Sequence, residues 1–196
     1  ESDWSAASYW YQIAALSSKA TITLPGLFSD SSQGDCKVAE IFRLLGIETK
    51  HEGQTVTLHK NGDIIQRLDY DFINQPDLAQ TFVVTCALLG IPFRFTGLQS
   101  LKIKETDRIV ALIKEMRKLG FVIKDSENSI LSWEGERCTR EEGAIDTYED
   151  HRMAMAFAPA SLKISDLFIN NPQVVSKSYP RYWENLQTAG FIIKEV

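Results

Sequence analysis

An internal repeat constrains this chain more than any other feature in it. Three stretches share one pattern of helix end, glycine and short apolar strand: Leu45-Gly46-Ile47-Glu48-Thr49-Lys50, Leu119-Gly120-Phe121-Val122-Ile123-Lys124 and Ala189-Gly190-Phe191-Ile192-Ile193-Lys194. The glycines are 74 and then 70 positions apart. A glycine just past a helix closes it in the left-handed conformation, and the Ile, Val and Phe that follow favour extended backbone. A second series runs in step. Asp3, Asp77 and Asp150 lie 74 and 73 positions apart, and each opens an Ala-rich apolar helix, at about 5–16, 78–89 and 151–162. Aspartate at a helix start accepts the orphan backbone N–H groups, so all three read first as N-caps.

Between these markers each unit adds a strand and an amphipathic helix. In the middle unit the strand is expected at 92–96 and the helix at 107–119, with Ile109, Leu112, Ile113, Met116 and Leu119 on one face. In the third, 165–169 reads as strand and 179–188 as helix, with Pro180 in its first turn. Strand pairs are expected for 48–51 with 55–58 and for 122–124 with 130–133. The fold class is therefore α/β (α+β), with repeated helix-strand-helix-strand-strand units. One such unit cannot bury its own apolar faces, so three are expected to pack about a pseudo-three-fold axis. No linker divides the chain, and 1–196 reads as a single domain. The first unit has no strand before Asp3 and the third stops after one strand, so both ends read as cut. A start at Glu1 rather than Met agrees with a piece of something longer.

Composition narrows the function. Hydrophobic residues at 44% and charged residues at 24% belong to an ordinary folded protein. A net charge of −5 makes sequence-independent nucleic-acid binding a poor expectation, so any affinity for anions has to come from a local cluster of cations. Cys36, Cys86 and Cys138 are scattered, odd in number and without a Cys-x-x-Cys pair, which fits a reducing compartment and neither a disulfide framework nor a zinc site. The apolar runs are too short to cross a bilayer and nothing reads as a signal peptide, so the cytoplasm is the expected location.

Three polar stretches stand where chemistry is expected. Lys102-Ile103-Lys104-Glu105-Thr106-Asp107-Arg108 runs into a helix, Asp150-His151-Arg152 forms the first turn of another, and Ser176-Lys177-Ser178 precedes the Pro180 helix. Each puts a cation where the helix dipole already disfavours one. That placement makes sense if an anion is to arrive, because free N–H groups and an arginine fork together grip a carboxylate or phosphate. Taken singly, these residues read as a solvated charge run, as helix caps and as surface lysines. Their equivalent places in repeated units argue that they converge at one end of the domain.

At these residues the chain closely resembles the 5-enolpyruvylshikimate-3-phosphate synthase family. The matching strings are Glu1-Ser2-Asp3, Ser5-Ala6-Ala7-Ser8-Tyr9, Ser32-Gln33-Gly34-Asp35, Pro76-Asp77, Lys104-Glu105-Thr106-Asp107-Arg108, Asp150-His151-Arg152-Met153-Ala154-Met155 and Lys177-Ser178-Tyr179-Pro180. They cover the whole chain in order, and the Lys-Glu-Thr-Asp-Arg and Asp-His-Arg-Met-Ala-Met strings are together highly specific. The resemblance implies an enolpyruvyl transferase-like fold of two similar three-unit domains with the active site in the cleft between them. This chain would be the second, carboxy-terminal domain, without the first domain and without a short amino-terminal segment that completes the second.

The implied reaction transfers the enolpyruvyl group of phosphoenolpyruvate to the 5-hydroxyl of shikimate 3-phosphate and releases phosphate, with no metal or other cofactor. By resemblance Asp77 would hold the acceptor's hydroxyls and take the proton of the attacking oxygen, and Glu105 would be the acid toward the methylene carbon. Lys104 would bind shikimate 3-phosphate beside both. Arg108 and Arg152 would clamp the carboxylate of phosphoenolpyruvate and Lys177 its phosphate, with His151 and Asp3 in supporting places. Where some members have Asn, this chain has Ser100, whose shorter hydroxyl would contact shikimate 3-phosphate. The proton-transfer roles of Lys104, Glu105 and Asp77 stay undivided, because close ionisable groups titrate as a set.

Two other readings remain open. The related enzyme that acts on UDP-N-acetylglucosamine shares the repeats but is not expected to carry both specific strings. A non-catalytic anion-binding domain of the same fold would gain nothing from carboxylates such as Asp77 and Glu105 beside its ligand. Under the first reading the chain is expected to fold yet not to turn over alone, since the absent domain supplies the rest of the substrate grip and closes the cleft.

Overall fold

The computed structural model describes residues 1–195. The first unit runs α1 (Trp4–Leu16), β1 (Thr21–Pro25), α2 (Val38–Arg43), β2 (Leu45–Glu52) and β3 (Thr55–Ile64). The second is β4 (Leu68–Asp71), α3 (Ala79–Leu89), β5 (Phe93–Thr96), α4 (Arg108–Lys118), β6 (Lys124–Ser126) and β7 (Ile130–Trp133), and the third holds α5 (His151–Phe157) and α6 (Tyr182–Thr188). After β4, the second unit repeats the helix, strand, helix, strand, strand order of the first.

The three Ala-rich helices are the centre. α3 packs against α1 and α5, and α1 meets the 3-10 turn Ala158–Leu162 that continues α5. These helices are apolar nearly all round, which places them inside rather than at a surface. Residues 79–87 of α3 are all buried. Two polar contacts cross between the helices, Ser8 Oγ with Thr81 Oγ1 at 3.1 Å and Gln12 Nε2 to the Ala156 carbonyl at 2.9 Å, while both amide atoms of the buried Gln80 have no hydrogen-bond partner among the described residues.

Two sheets flank the helices. One has the order β1-β3-β2, all antiparallel, and the other β4-β5-β7-β6, in which β4 and β5 run parallel. β5 pairs with β7 as β1 pairs with β3. In the third unit the β4–β5 pairing shrinks to one parallel bridge, Ile145 with Ile169, each 73 residues on from Phe72 and Thr96. The Phe72 N–H donates to the Thr96 carbonyl at 2.9 Å, and the Ile145 N–H to the Phe168 carbonyl at 2.8 Å. A chain of rings joins the first sheet's helix to the second sheet: Phe42 on Phe82 at 4.5 Å, Phe82 on Phe72 at 5.5 Å, Phe72 on Phe95 at 5.0 Å and Phe95 on Phe93 at 4.4 Å. All five are fully buried, each contributing about 2–3 kcal/mol.

Several expectations are corrected. Asp3 and Asp150 cap their helices, accepting from Ser5 N at 2.8 Å and Arg152 N at 2.8 Å, but Asp77 caps nothing. It lies within a 3-10 turn, Pro76–Leu78, and its carboxylate is taken by cations. The helix at 151–162 is α only to Phe157, since Pro159 lacks the N–H that would continue it. The 179–188 helix starts at Tyr182, after Pro180 rather than around it, so Lys177 ends a 3-10 turn (Pro172–Lys177) and heads no helix. The 122–124 strand forms at Lys124–Ser126, and 165–169 contributes only the Ile169 bridge. The stretch 191–194 is not a strand, because nothing pairs with it among the described residues. The glycine series holds as helix closure in two of its three members; Gly46, with φ of 82°, lies inside β2 at a register shift instead. Gly120 and Gly190 have φ of 88° and 99°, and in both the next residue's N–H reaches back five residues, Phe121 to Met116 at 2.9 Å and Phe191 to Leu186 at 3.0 Å. Among the described residues no helix is long and apolar enough to cross a membrane.

Candidate active site

Six of the residues singled out by sequence meet at the helix starts of the second and third units. Asp107 caps α4 by accepting from Val110 N at 3.1 Å, which sets Arg108 as the first helical residue and turns it inward. Asp150 caps α5 in the same way and so fixes His151 and Arg152 in its first turn. Between them the turn at Pro76 presents Asp77.

Asp77 is the hub. Its Oδ1 lies 3.0 Å from Arg108 Nη1 and 3.3 Å from Lys104 Nζ, and its Oδ2 lies 3.0 Å from Arg152 Nη2. Glu105 sits on the far side of Arg108, with Oε2 2.6 Å from Nη2, and its Oε1 is 3.9 Å from His151 Nδ1. Arg108 is only 1% exposed. Its remaining edge is held by Asp150, with Nε to Oδ2 at 2.6 Å and Nη2 to Oδ1 at 3.3 Å. Its fork thus faces three carboxylates, and an incoming carboxylate would displace Glu105 or Asp77 from it. Arg152 is less committed: among the described carboxylates its side chain bonds Asp77 alone.

The charges balance locally: Asp77, Glu105 and Asp150 against Lys104, Arg108 and Arg152. Burial alone would raise Asp77, but Arg152, Lys104 and Arg108 outweigh it and hold the carboxyl below its ordinary range. Glu105 is likewise lowered, where backbone N–H donation and Arg108 overcome burial. Burial lowers His151, whose Nδ1 is buried without a hydrogen-bond partner among the described residues, and so favours the neutral ring. Arg152 is raised, since Tyr9 and Asp77 offset its burial.

The other expected residues stand further out. Lys177 Nζ donates to the Glu149 carbonyl at 2.8 Å, one residue from Asp150, and is exposed. Ser100 lies in the 3-10 turn Gln99–Ile103, which packs on the Pro76 turn, and its hydroxyl bonds none of the cluster. Asp3 is an exposed cap of α1 whose field reaches Arg152 without contact. Three neighbours were not singled out by role. Asp150 read as a cap and is also Arg108's two-point partner. Tyr9 is fully buried beside Arg152, pushed up to about 12 by that burial. Asp35, bonded to the Ser5 hydroxyl and raised by burial, lies within the field of Arg152 and Asp77. The Ser32-Gln33-Gly34-Asp35 string was the signal that marked it.

Comparison with known proteins gives the family. The family model for EPSP synthase (3-phosphoshikimate 1-carboxyvinyltransferase) matches residues 1–186. A curated 3-phosphoshikimate 1-carboxyvinyltransferase from Bacteroides fragilis is 63% identical over 195 residues, covering 99% of this chain and 48% of that protein. One from Syntrophobacter fumaroxidans is 34% identical over 95% of this chain and 44% of its own length. The chain thus spans about half the length of the curated relatives it matches. A solved EPSP synthase from Acinetobacter baumannii superposes with a TM-score of 0.74 at 22% identity, over 97% of this chain and 46% of that one. The enolpyruvyl transferase NikO from Streptomyces tendae gives 0.67 at 18%, over 98% and 44%, and these two likenesses speak to the fold. On the family match and the curated relatives, the chain belongs to the EPSP synthase family.

Proposed function

We propose that this chain supplies one wall of an active site that transfers the enolpyruvyl group of phosphoenolpyruvate to the 5-hydroxyl of shikimate 3-phosphate. The observation that carries the reading is the gathering of Lys104, Arg108 and Arg152 on Asp77, with Glu105 across Arg108. A pure anion site has no use for two ionised carboxylates. An addition–elimination needs both, since a hydroxyl must lose a proton while the methylene carbon gains one and the second step reverses the latter.

In this reading Asp77 accepts the proton of the attacking 5-hydroxyl and Lys104 steadies the anion beside it. Glu105, protonated once the incoming carboxylate takes its place on Arg108, gives that proton to the methylene carbon and takes it back in the second step. In that step the C–O bond to phosphate breaks, and the phosphate leaves with the proton that Asp77 took from the hydroxyl. The neutral His151 ring, 3.9 Å from Glu105, suits a partner in that exchange. Arg152 grips the carboxylate of phosphoenolpyruvate, Arg108 joins it where the carboxylate replaces Glu105 or Asp77, and Lys177 turns to its phosphate. Ser100 and Asp3 take outer places, at shikimate 3-phosphate and at the first unit's edge of the site.

The charge count supports a second wall from elsewhere in the full-length protein. Each substrate brings a carboxylate and a phosphate of about −1.5 to −2 charge. Here three cations are already matched by three carboxylates, leaving Lys177 in surplus. We therefore infer that 1–196 acts as the second of two domains and binds both substrates only with the first, and that it is inactive by itself.

Phosphate release by the full-length gene product, with phosphoenolpyruvate and either acceptor, tests the reading. Turnover with shikimate 3-phosphate alone is expected. Turnover with UDP-N-acetylglucosamine, or with neither, overturns it, and product formed by the isolated chain overturns the shared-site inference.

A further inference from the structure

The segment that delivers Asp150 is held in an uncommon backbone. Tyr148 and Glu149 are consecutive non-glycine residues with φ of 53° and 57°, the left-handed region that side chains with a Cβ rarely adopt. They stand directly before the residue that forks Arg108 and caps the helix bearing Arg152. A backbone of this kind persists only where its surroundings dictate it.

The surroundings are unusually complete. On one side α4 reaches over with Glu115, seven residues beyond Arg108 and so on the same face. Glu115 is fully buried. Its Oε1 accepts from the Tyr148 hydroxyl at 2.6 Å and its Oε2 from the Asp146 N–H at 3.1 Å. Lys118, one turn on, pairs with Glu115 at 2.8 Å and donates to the Ala144 carbonyl at 3.0 Å and to Asp146 Oδ2 at 2.8 Å. On the other side Asn170 donates to Asp146 Oδ1 at 2.7 Å, and Lys177 to the Glu149 carbonyl at 2.8 Å. Helix α4 therefore grips the segment 144–150 along its length, at its near end through Lys118 on Ala144 and Asp146, in its middle through Glu115 on Tyr148, and at its far end through Arg108 on Asp150.

We propose that Tyr148 and Glu115 are positioning residues, which set the strap 144–150 and through it the aim of Arg152 and of the Arg108–Asp150 pair at the bound carboxylate. This rests on the phosphoenolpyruvate reading given above. Neither residue touches substrate. Their effect belongs to the one substrate that Arg152 grips, because Lys104 and Ser100 stand on a different turn. A tyrosine that merely packed would lose little on conversion to Phe, and whatever it lost would fall on both substrates alike.

The test compares the full-length enzyme with Tyr148→Phe and Glu115→Gln. Tyr148→Phe keeps the ring and leaves Glu115 its Asp146 and Lys118 partners, so it is expected to fold even where Glu115→Gln does not. The expected result is a KM for phosphoenolpyruvate raised about tenfold, with the KM for shikimate 3-phosphate within about twofold. Amide exchange at 146–152, read on the same variant without substrate, is expected to quicken about tenfold. Unchanged KM values, or a rise shared equally by both substrates, overturn the proposal. Wild-type enzyme that fails to turn over sinks the substrate reading instead. The exchange rates then decide the strap alone, and no change in them overturns it.

Discussion

Arg108 and Asp150 meet at two points, Nε to Oδ2 at 2.6 Å and Nη2 to Oδ1 at 3.3 Å, with both side chains shut away from water at 1% and 0% exposure. The pair ties the first residue of α4 to the N-cap of α5 and so locks the second unit to the third. Removing one partner of such a pair leaves a buried charge with fewer compensating groups, which costs far more than the pair itself gains. Asp150→Asn, which keeps an oxygen to cap α5 but removes the charge facing Arg108, is therefore expected to lower the free energy of urea unfolding by about 3–5 kcal/mol. A loss under about 1 kcal/mol would show that Asp77 and Glu105 suffice to neutralise Arg108.

Arg152 and Asp77 separate binding from chemistry. Arg152→Ala removes a charged donor from the phosphoenolpyruvate side of the proposed site. Titration of the full-length enzyme is expected to show about 10- to 100-fold weaker phosphoenolpyruvate binding, with shikimate 3-phosphate little affected. Asp77→Asn keeps the size of the hub and removes its basicity, so kcat is expected to fall about 10²- to 10⁴-fold, well beyond any change in phosphoenolpyruvate affinity. Equal losses of affinity for both ligands in Arg152→Ala would count against the clamp, and near-normal kcat in Asp77→Asn would remove Asp77 from the proton transfer.

Acid should weaken the cluster in a defined window. Asp77 and Glu105 are held below their ordinary values of 3.8 and 4.5, so the folded chain keeps them ionised where the unfolded chain would bind protons. Their contribution is complete above about pH 4.5 and is lost as the pH falls through the lowered folded values. Asp35, raised by burial, runs the other way, its contribution present below 3.8 and lost as the pH rises through its folded value. Thermal unfolding between roughly pH 5 and pH 3 is expected to show a shallower acid decline in Asp77→Asn than in wild type. An equally steep decline in both would mean that the Asp77 contacts do not hold in solution.

What was legible in the sequence follows from the range of each interaction. Gly120 and Gly190 announced themselves because a helix end closes within six residues of chain, and so did Asp3 and Asp150 as caps. Asp77 carried the same local signature but lies in a 3-10 turn, and only Arg108, Lys104 and Arg152, brought in by other turns and helices, give its carboxylate a different task. The strand expected at 191–194 failed for a related reason, because β-propensity makes a strand only where a partner edge is available. Glu115 was the least legible. Within Lys114-Glu115-Met116-Arg117-Lys118 it reads as solvated charge, and its burial depends on Asp146 and Tyr148, about thirty residues away.

The path that brings Asp77 to the cluster depends on one close approach. Gly97, just past β5, has φ of 75°, and a Cβ there would run into Ile73 N and Asp71 Oδ1 and lie 2.8 Å from Ile73 Cα. Asp71 Oδ1 itself accepts from the Ile73 N–H at 3.1 Å, starting the turn that leads from β4 through Phe72 to Pro76. Two of the three obstructing atoms are backbone, so an added methyl cannot be accommodated by swinging a side chain away. The strand end and the turn must part instead. Gly97→Ala is expected to cost about 2–4 kcal/mol in urea unfolding, from the left-handed backbone and the clash together. Because the displaced turn carries Asp77, the surviving folded enzyme is also expected to lose kcat more than phosphoenolpyruvate affinity. Wild-type stability in Gly97→Ala would show that β4 and β5 are not packed this closely, and normal kcat in a destabilised Gly97→Ala would show that the turn holds Asp77 independently of the strand end.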